Sequence, residues 1–130
     1  MRLKVITPDT SLFKDEIQSI NIAEHIGGFS ILKGHAPFIT VVKNFVSTIK
    51  LENGNLTFIA ANSGTLKVLD DEISLIIDYG VIGTNREEAQ EKLIELRQEI
   101  AKTSDETGDD TVANLEVELM RRMKELGDLS

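Results

Sequence analysis

The sequence predicts a β sandwich or flattened barrel over residues 1–84, followed over residues 85–130 by an antiparallel α-helical hairpin. Two observations predict this division. Up to Tyr79, turn-forming residues interrupt the chain every several positions, and the stretches between them alternate in polarity or are rich in β-branched side chains. From Asn85 onward, glycine is almost absent and apolar residues recur every three or four positions, as on one face of a helix.

Eight short strands are predicted in the first part of the chain. Their expected ranges are 3–7, 17–23, 28–32, 38–42, 46–51, 56–61, 64–69 and 72–77. Two tight turns are expected between consecutive strands. Asn53-Gly54 has the residue types that a turn with positive φ requires, and Asp70-Asp71 joins the last two strands. Many short strands at this spacing are typical of a sandwich or small barrel.

Two amphipathic helices are predicted in the second part. Thr84 and Glu87 have the spacing of a capping box at the start of the first helix. The polar segment 104–110, which contains Gly108, is expected to end it, and a second helix is expected to begin near Thr111. The apolar faces are Ala89, Leu93, Leu96 and Ile100 on the first helix, and Val112, Leu115, Leu119, Met123 and Leu126 on the second. Because both faces are narrow, we expect the hairpin to be attached weakly and to be movable.

The composition excludes several classes of function. With no cysteine and two histidines, the chain has no disulfide framework, no zinc site of the usual Cys/His kind and no cysteine nucleophile. The net charge of −8 would repel nucleic acid, and most of it lies in residues 85–130, with 13 acidic and 7 basic side chains against 9 and 7 in residues 1–84. No run of about 20 apolar residues occurs, so no transmembrane segment is expected and a partner would supply any membrane association.

No common catalytic motif occurs in the sequence. Walker-type glycine loops, Gly-x-Gly-x-x-Gly, Gly-x-Ser-x-Gly and His-Glu-x-x-His are all absent. A hydrolase that used Ser30 or Ser63 with His35 is an alternative, although the sequence gives it no activated geometry. We therefore predict a non-catalytic binding protein without a catalytic or metal site.

One segment, Gly27–Pro37, places three glycines and a proline around a short apolar strand. It resembles, at eight of eleven positions, the Gly-Glu-Phe-Gly-Ile-Leu-Pro-Gly-His-Ala-Pro signature of the epsilon subunit of F-type ATP synthases, which is called delta in mitochondria. The opening Leu3–Pro8 is similar to the start of that family, and Ala61–Val68 is similar to its Ser-Gly-Gly-x-Leu-x-Val strand pair. The resemblance covers essentially the whole chain, with its specific motifs in the first 84 residues.

The resemblance implies a central-stalk subunit of a rotary, ion-translocating complex. The β domain would hold the foot of the gamma shaft against the c-ring, with contacts at Gly34 and His35, whereas Gly28 replaces the family's ring-contacting glutamate. For His35, a structural role in which its ring bonds to the adjacent turn is an alternative. The hairpin would extend along gamma to the catalytic beta subunit and block ATP hydrolysis. The expected location is peripheral, on the cytoplasmic side of the bacterial inner membrane.

In parts of this family the hairpin also binds ATP, through an Ile-Asp-x-x-Arg-Ala motif and further arginines. The chain retains Ile82, Arg86 and Arg121 of that pattern but lacks its aspartate and alanine, so no bound cofactor is expected beyond this ATP-sensing remnant. The resemblance assigns the basic cluster of Arg121, Arg122 and Lys124 to a contact with the catalytic subunit; a solvated helix face is the alternative. The alternative function is a free-standing protein-interaction adaptor of the same fold.

Overall fold

The computed structural model describes residues 1–25 and 27–107, and within them the chain forms seven β-strands and one α-helix. The strands are β1 Arg2–Ile6, β2 Ser11–Glu24, β3 Gly27–Leu32, β4 Phe38–Leu51, β5 Leu56–Leu69, β6 Glu72–Ile77 and β7 Gly80–Gly83. Helix α1 spans Arg86–Thr107. The predicted β sandwich or flattened barrel followed by helix is confirmed, and the predicted second helix lies outside the described residues.

The strands close into a flattened barrel. Its order is β1-β6-β5-β4-β2, and pairing of β1 with β2 completes the circle. Strand β3 pairs with β2, and β7 pairs with β5. The pair β1–β6 is parallel and the other pairs are antiparallel. Because β5 pairs with β7 along its first half and with β6 along its second half, this long strand passes from one layer of the barrel to the other.

The strands are fewer and longer than the sequence predicts. The expected strands 38–42 and 46–51 form one strand, β4, because pairing with β5 continues on both sides of Asn44, which bends the chain with a φ of 46°. The expected strands 56–61 and 64–69 likewise form one strand, β5. Strand β7 and the first half of β2 were not predicted, since β7 is four residues long with a glycine at each end and Ser11–Glu16 is largely polar.

The two predicted turns have different outcomes. Asp70 and Asp71 have φ values of 52° and 61° and form a two-residue turn between β5 and β6, as predicted. The other connection is a four-residue loop, residues 52–55, in which Gly54 has a φ of 89° and Asn53 does not have positive φ. Asn53 instead accepts a hydrogen bond from the Asn55 N–H through its Oδ1 at 2.9 Å, so its side chain organises the loop.

The barrel encloses an aliphatic core. Its largest fully buried side chains are Leu3, Ile17, Ile20, Ile22, Ile31, Phe45, Ile49, Ile59, Leu66, Ile73, Leu75 and Ile77. A second and much smaller cluster joins α1 to the barrel. Its buried members are Val46, Ala60, Ala89 and Leu93, with Phe58, Tyr79 and Val81 packed beside them. The helix is therefore held by few apolar contacts, in line with the narrow face read from the sequence.

Helix α1 differs from the prediction at both ends. Asn85 is the cap, because its Oδ1 accepts the Glu88 N–H at 2.8 Å, so the predicted capping box of Thr84 and Glu87 is wrong by one residue. The helix continues through Thr107, further into the polar segment 104–110 than expected. Of the predicted apolar face, Ala89, Leu93 and Ile100 are buried and Leu96 is half-buried.

Candidate functional site

The loop between β3 and β4 presents Gly34 and His35 at one end of the barrel. Gly34 has a φ of 85°, a left-handed conformation that favours glycine. Its N–H donates a hydrogen bond to Oδ1 of Asp71 at 3.3 Å, and the Asp71 carbonyl accepts the Arg2 N–H at 2.9 Å. The loop is therefore tied to the β5–β6 turn, which is tied in turn to the start of β1.

The His35 side chain is exposed but has defined contacts. Its Nδ1 lies 2.7 Å from the Ala36 carbonyl oxygen, a contact that places the hydrogen on Nδ1. Its ring centroid lies 4.9 Å from that of Phe38, which meets Phe29 edge-on at 6.0 Å. The ring thus bonds to the adjacent turn, as the structural alternative expects, while the exposed residue stays accessible to a partner.

An aliphatic surface lies on the outer face of the barrel. Val41, Thr65 and Ile76 occupy one row across β4, β5 and β6, and Ile39 lies on the same side of β4 two residues before Val41. Ile39, Val41 and Ile76 are 66%, 61% and 51% exposed. We call these four residues the aliphatic surface. Grouped exposed aliphatic side chains of this kind are typical of protein-binding surfaces.

The residues of the predicted ATP-sensing remnant are only partly brought together. Arg86, at the start of α1, lines a cleft of about 580 Å³ between the barrel and the helix. Ile82 lies on β7, where its carbonyl oxygen accepts a hydrogen bond from Lys92 Nζ at 3.2 Å, and it does not line that cleft. Arg121, Arg122 and Lys124 lie outside the described residues.

Arg97, which the sequence did not single out, also lines the cleft. Its Nη2 donates hydrogen bonds to Oδ1 of Asn44 at 2.6 Å and to Oδ1 of Asn62 at 3.3 Å, from α1 to β4 and β5. A sequence signal existed, since asparagine is depleted in strands and each of these two lies between predicted strand segments. That signal indicated where the predicted strands are interrupted, but it did not indicate that Arg97 contacts the two asparagines.

The side chains of the alternative hydrolase are not arranged for catalysis. The Ser63 hydroxyl donates to Asp78 at 3.1 Å, and the Ser30 hydroxyl accepts from Asn21 at 2.8 Å. Within residues 1–25 and 27–107, neither hydroxyl bonds to His35. The same part of the chain contains no group of three histidine or acidic side chains arranged to hold a metal ion.

None of the helical structure described up to Thr107 is both long and apolar enough to cross a bilayer.

Comparison with known proteins gives a consistent family. The sequence model of the ATP synthase delta/epsilon chain β-sandwich domain matches residues 1–83. The ATP synthase epsilon chain of Sulfurovum sp. (strain NBC37-1) is 26% identical over 105 residues, which cover 81% of this chain and 82% of that one. The epsilon chain of Synechococcus sp. (strain RCC307) is 30% identical over 105 residues, which cover 78% and 76%.

Solved structures agree on the fold. A chain of the Euglena gracilis mitochondrial ATP synthase matches with a TM-score of 0.58 and 17% identity, covering 98% of this chain and 80% of that chain. A chain of the Tetrahymena thermophila mitochondrial ATP synthase matches with a TM-score of 0.52 and 14% identity, covering 98% and 96%. With its barrel inside the family's sequence match, the chain belongs to the delta/epsilon family of ATP synthase subunits, as an epsilon-type, non-catalytic subunit.

Proposed function

We propose that this chain is a central-stalk subunit that links the gamma shaft to the c-ring and regulates ATP hydrolysis through its movable C-terminal hairpin. The observation that carries the proposal is the aliphatic surface on the barrel, which offers a stable partner an apolar contact. The Tetrahymena chain of similar fold comes from a structure of the central stalk and c-ring, which supports the same assignment.

The aliphatic surface is the part of the barrel that we assign to gamma. A subunit that stays bound during rotation needs an interface with an apolar centre, because desolvated aliphatic area supplies most of the binding free energy. Ile39 and Val41 on β4 and Ile76 on β6 provide that centre, with Thr65 of β5 between Val41 and Ile76. The neighbouring exposed Lys67, opposite Ile39, places a charge at the edge of the surface.

The loop that contains Gly34 and His35 is the part that we assign to the c-ring. Its backbone is anchored to Asp71 by the hydrogen bond from Gly34, and the His35 ring is held against Phe38. A loop held in this way keeps one shape while the ring exerts torque on it, which suits a contact that transmits rotation. Gly28, which lacks the family's carboxylate, contributes no charge to this contact.

The regulatory half of the proposal concerns the segment that starts with α1. Among the α1 side chains whose burial the structure describes, only Ala89, Leu93 and Ile100 are buried, which supports a helix that a partner can detach. In the extended state, Arg121, Arg122 and Lys124 would contact the catalytic beta subunit. As part of the complex, the chain would lie at the cytoplasmic face of the bacterial inner membrane, held there by its partners.

The gamma contact can be tested with the exposed residue Ile76. The variant Ile76→Glu places a carboxylate on the aliphatic surface without entering the core, so we expect the barrel to fold and its co-elution with purified gamma to be lost. Leu56→Glu is the matched control, because Leu56 is 52% exposed and lies at the start of β5, away from that surface. Equal gamma binding by both variants and the unchanged chain would refute the assignment.

The regulatory role can be tested by ending the chain after Thr84. We expect the reconstituted complex with the shortened chain to hydrolyse ATP faster than the complex with the full chain, while both pump ions. Equal hydrolysis would remove the inhibitory role and leave the coupling role intact. Failure of the full chain to co-purify with gamma and the c-ring would instead favour the free-standing adaptor.

A further inference from the structure

We infer that Arg97 holds α1 on the barrel by placing its guanidinium against Asn44 and Asn62, and that this contact sets how often the helix detaches. We call Asn44 and Asn62 the asparagine pair. The consequence for ATP hydrolysis rests on the proposed movable hairpin, whereas the contact and its effect on the helix do not.

Asn62 is oriented by a network within the barrel. Its Nδ2 donates to Oδ2 of Asp78 at 2.7 Å, which leaves Oδ1 directed to Arg97 at 3.3 Å. Asp78 is itself fixed, because its carboxylate accepts the Ser63 N–H at 3.0 Å, the Ser63 hydroxyl at 3.1 Å and the Tyr79 N–H at 2.7 Å. The Asn62 amide oxygen is therefore positioned by the barrel, without help from the helix.

Asn44 completes the pair from the adjacent strand. The register places Lys43 opposite Ser63 and Phe45 opposite Ala61, so the two asparagines face each other in the gap between these pairs. Asn44 has a φ of 46°, a left-handed conformation that asparagine tolerates better than most residues. Its Oδ1 lies 2.6 Å from the same Arg97 nitrogen, so two amide oxygens from two strands converge on one guanidinium.

The position of Arg97 on α1 makes this contact important for docking. In the first two turns of α1, Ala89 and Leu93 pack against Val46 and Ala60 of the barrel. Arg97 lies one turn beyond Leu93 on the same side of the helix. Lys92 also reaches the barrel, through the Ile82 carbonyl oxygen, but its Nζ is shared with Glu88 of its own helix at 2.9 Å. With so little apolar area buried, one charge-assisted contact is a large part of what holds the middle of the helix.

Hydrogen exchange on the full chain tests the contact directly. Arg97→Met keeps a long side chain and a high helix propensity but removes the guanidinium. We expect the amides of α1 to exchange about tenfold faster, equivalent to about 1.4 kcal/mol, while those of the barrel strands are unchanged. Lys102→Met is the matched control, since it removes an exposed positive charge from the same helix, and it should leave exchange in α1 unchanged. Equal exchange in Arg97→Met and the unchanged chain would overturn the inference.

A second variant tests the partner on the barrel. Asn44→Gly removes the amide but allows the left-handed φ, so the bend in β4 is kept. If Arg97 acts through the asparagine pair, the effects of Arg97→Met and Asn44→Gly on exchange in α1 should be less than additive in the double variant. Fully additive effects would show that Arg97 does not act through Asn44 and would overturn the inference that both asparagines hold it.

The rate of ATP hydrolysis by the reconstituted complex, measured beside amide exchange, distinguishes a failure of this inference from a failure of the proposed function. If the detached hairpin inhibits, Arg97→Met should lower ATP hydrolysis, because the helix leaves the barrel more often. Faster exchange in α1 with unchanged hydrolysis would support the contact and overturn the regulatory role. Unchanged exchange, whatever the hydrolysis rate, would overturn the contact.

Discussion

Gly83 lies against Ala89 so closely that a Cβ atom on Gly83 would come within 2.7 Å of the Ala89 backbone nitrogen and 3.0 Å of its Cα and Cβ. Gly83 is the last residue of β7, and Ala89 is a fully buried residue of α1. Because backbone atoms are among the obstacles, the helix itself would have to move to admit a side chain. The contact therefore defines where the first turn of α1 sits on the barrel.

This relationship predicts that Gly83→Ala displaces the helix. Inserting one methyl group into so tight a contact should cost about 1–3 kcal/mol, and the weakly held helix should yield before the barrel does. We expect faster amide exchange in α1 with nearly unchanged thermal unfolding of the barrel. Gln90→Ala, at an exposed position of the same helix, is the control. Unchanged protection of α1 in Gly83→Ala would contradict the prediction.

Leu93 and its neighbour Ile94 offer a matched pair of substitutions. Leu93 is 3% exposed and packs against Val46 and Ala60, whereas Ile94 is 51% exposed. Leu93→Ala should cost about 2 kcal/mol of helix docking, at the low end for a buried leucine because the cluster is small. Ile94→Ala should change docking by less than about 0.5 kcal/mol. Amide exchange in α1 measures both, and equal effects would show that α1 is not held by this face.

Much of the fold follows from local pattern. Alternating and β-branched segments identified most of the strands, although not β7 or the first half of β2, and the spacing of Ala89, Leu93 and Ile100 identified the face of α1 that is buried. The continuation of β4 through Asn44 could not be read locally, because it depends on pairing with β5. The choice of Asn85 over Thr84 as the cap was also undetermined, since both residue types cap helices well and the packing of the chain after β7 decides between them.

The residues of the candidate site also differ in whether the sequence predicts them. Gly34 and His35 were predicted as contact residues from one continuous motif, and the structure places both on one anchored loop. Arg97 was not found, because its partners Asn44 and Asn62 lie 53 and 35 residues away along the chain. Contacts across such separations depend on the fold, and an arginine on a charged helix otherwise resembles an ordinary exposed residue.

The stability of the first turn of α1 should depend on pH through the Glu88 carboxylate. The hydrogen bond from the Thr84 hydroxyl, followed by that from Lys92, lowers the pKa of Glu88 below its ordinary value of 4.5. Since the pKa is lower in the folded state than in the unfolded state, this stabilisation is complete at neutral pH and is lost as the pH falls through the lowered pKa. Circular dichroism of the helix during an acid titration should show the loss in the unchanged chain. The loss of helix signal that follows protonation of Glu88 should be absent in Glu88→Gln and present in the exposed control Glu91→Gln. The same acid profile in the unchanged chain and both variants would contradict the prediction.

Substitution of His35 distinguishes a structural role of its side chain from a contact with a partner. His35→Leu keeps an apolar side chain against Phe38 but removes the contact with the Ala36 carbonyl oxygen, so the free energy of unfolding should change by less than about 1 kcal/mol. If the side chain contacts the c-ring, binding of the chain to the gamma–ring assembly should weaken about tenfold, as for a contact residue of ordinary importance. His25→Leu, at an exposed turn, should change neither quantity. A clear loss of stability in His35→Leu with unchanged binding would assign the imidazole to holding the loop, because its bond to Ala36 would then account for the whole effect.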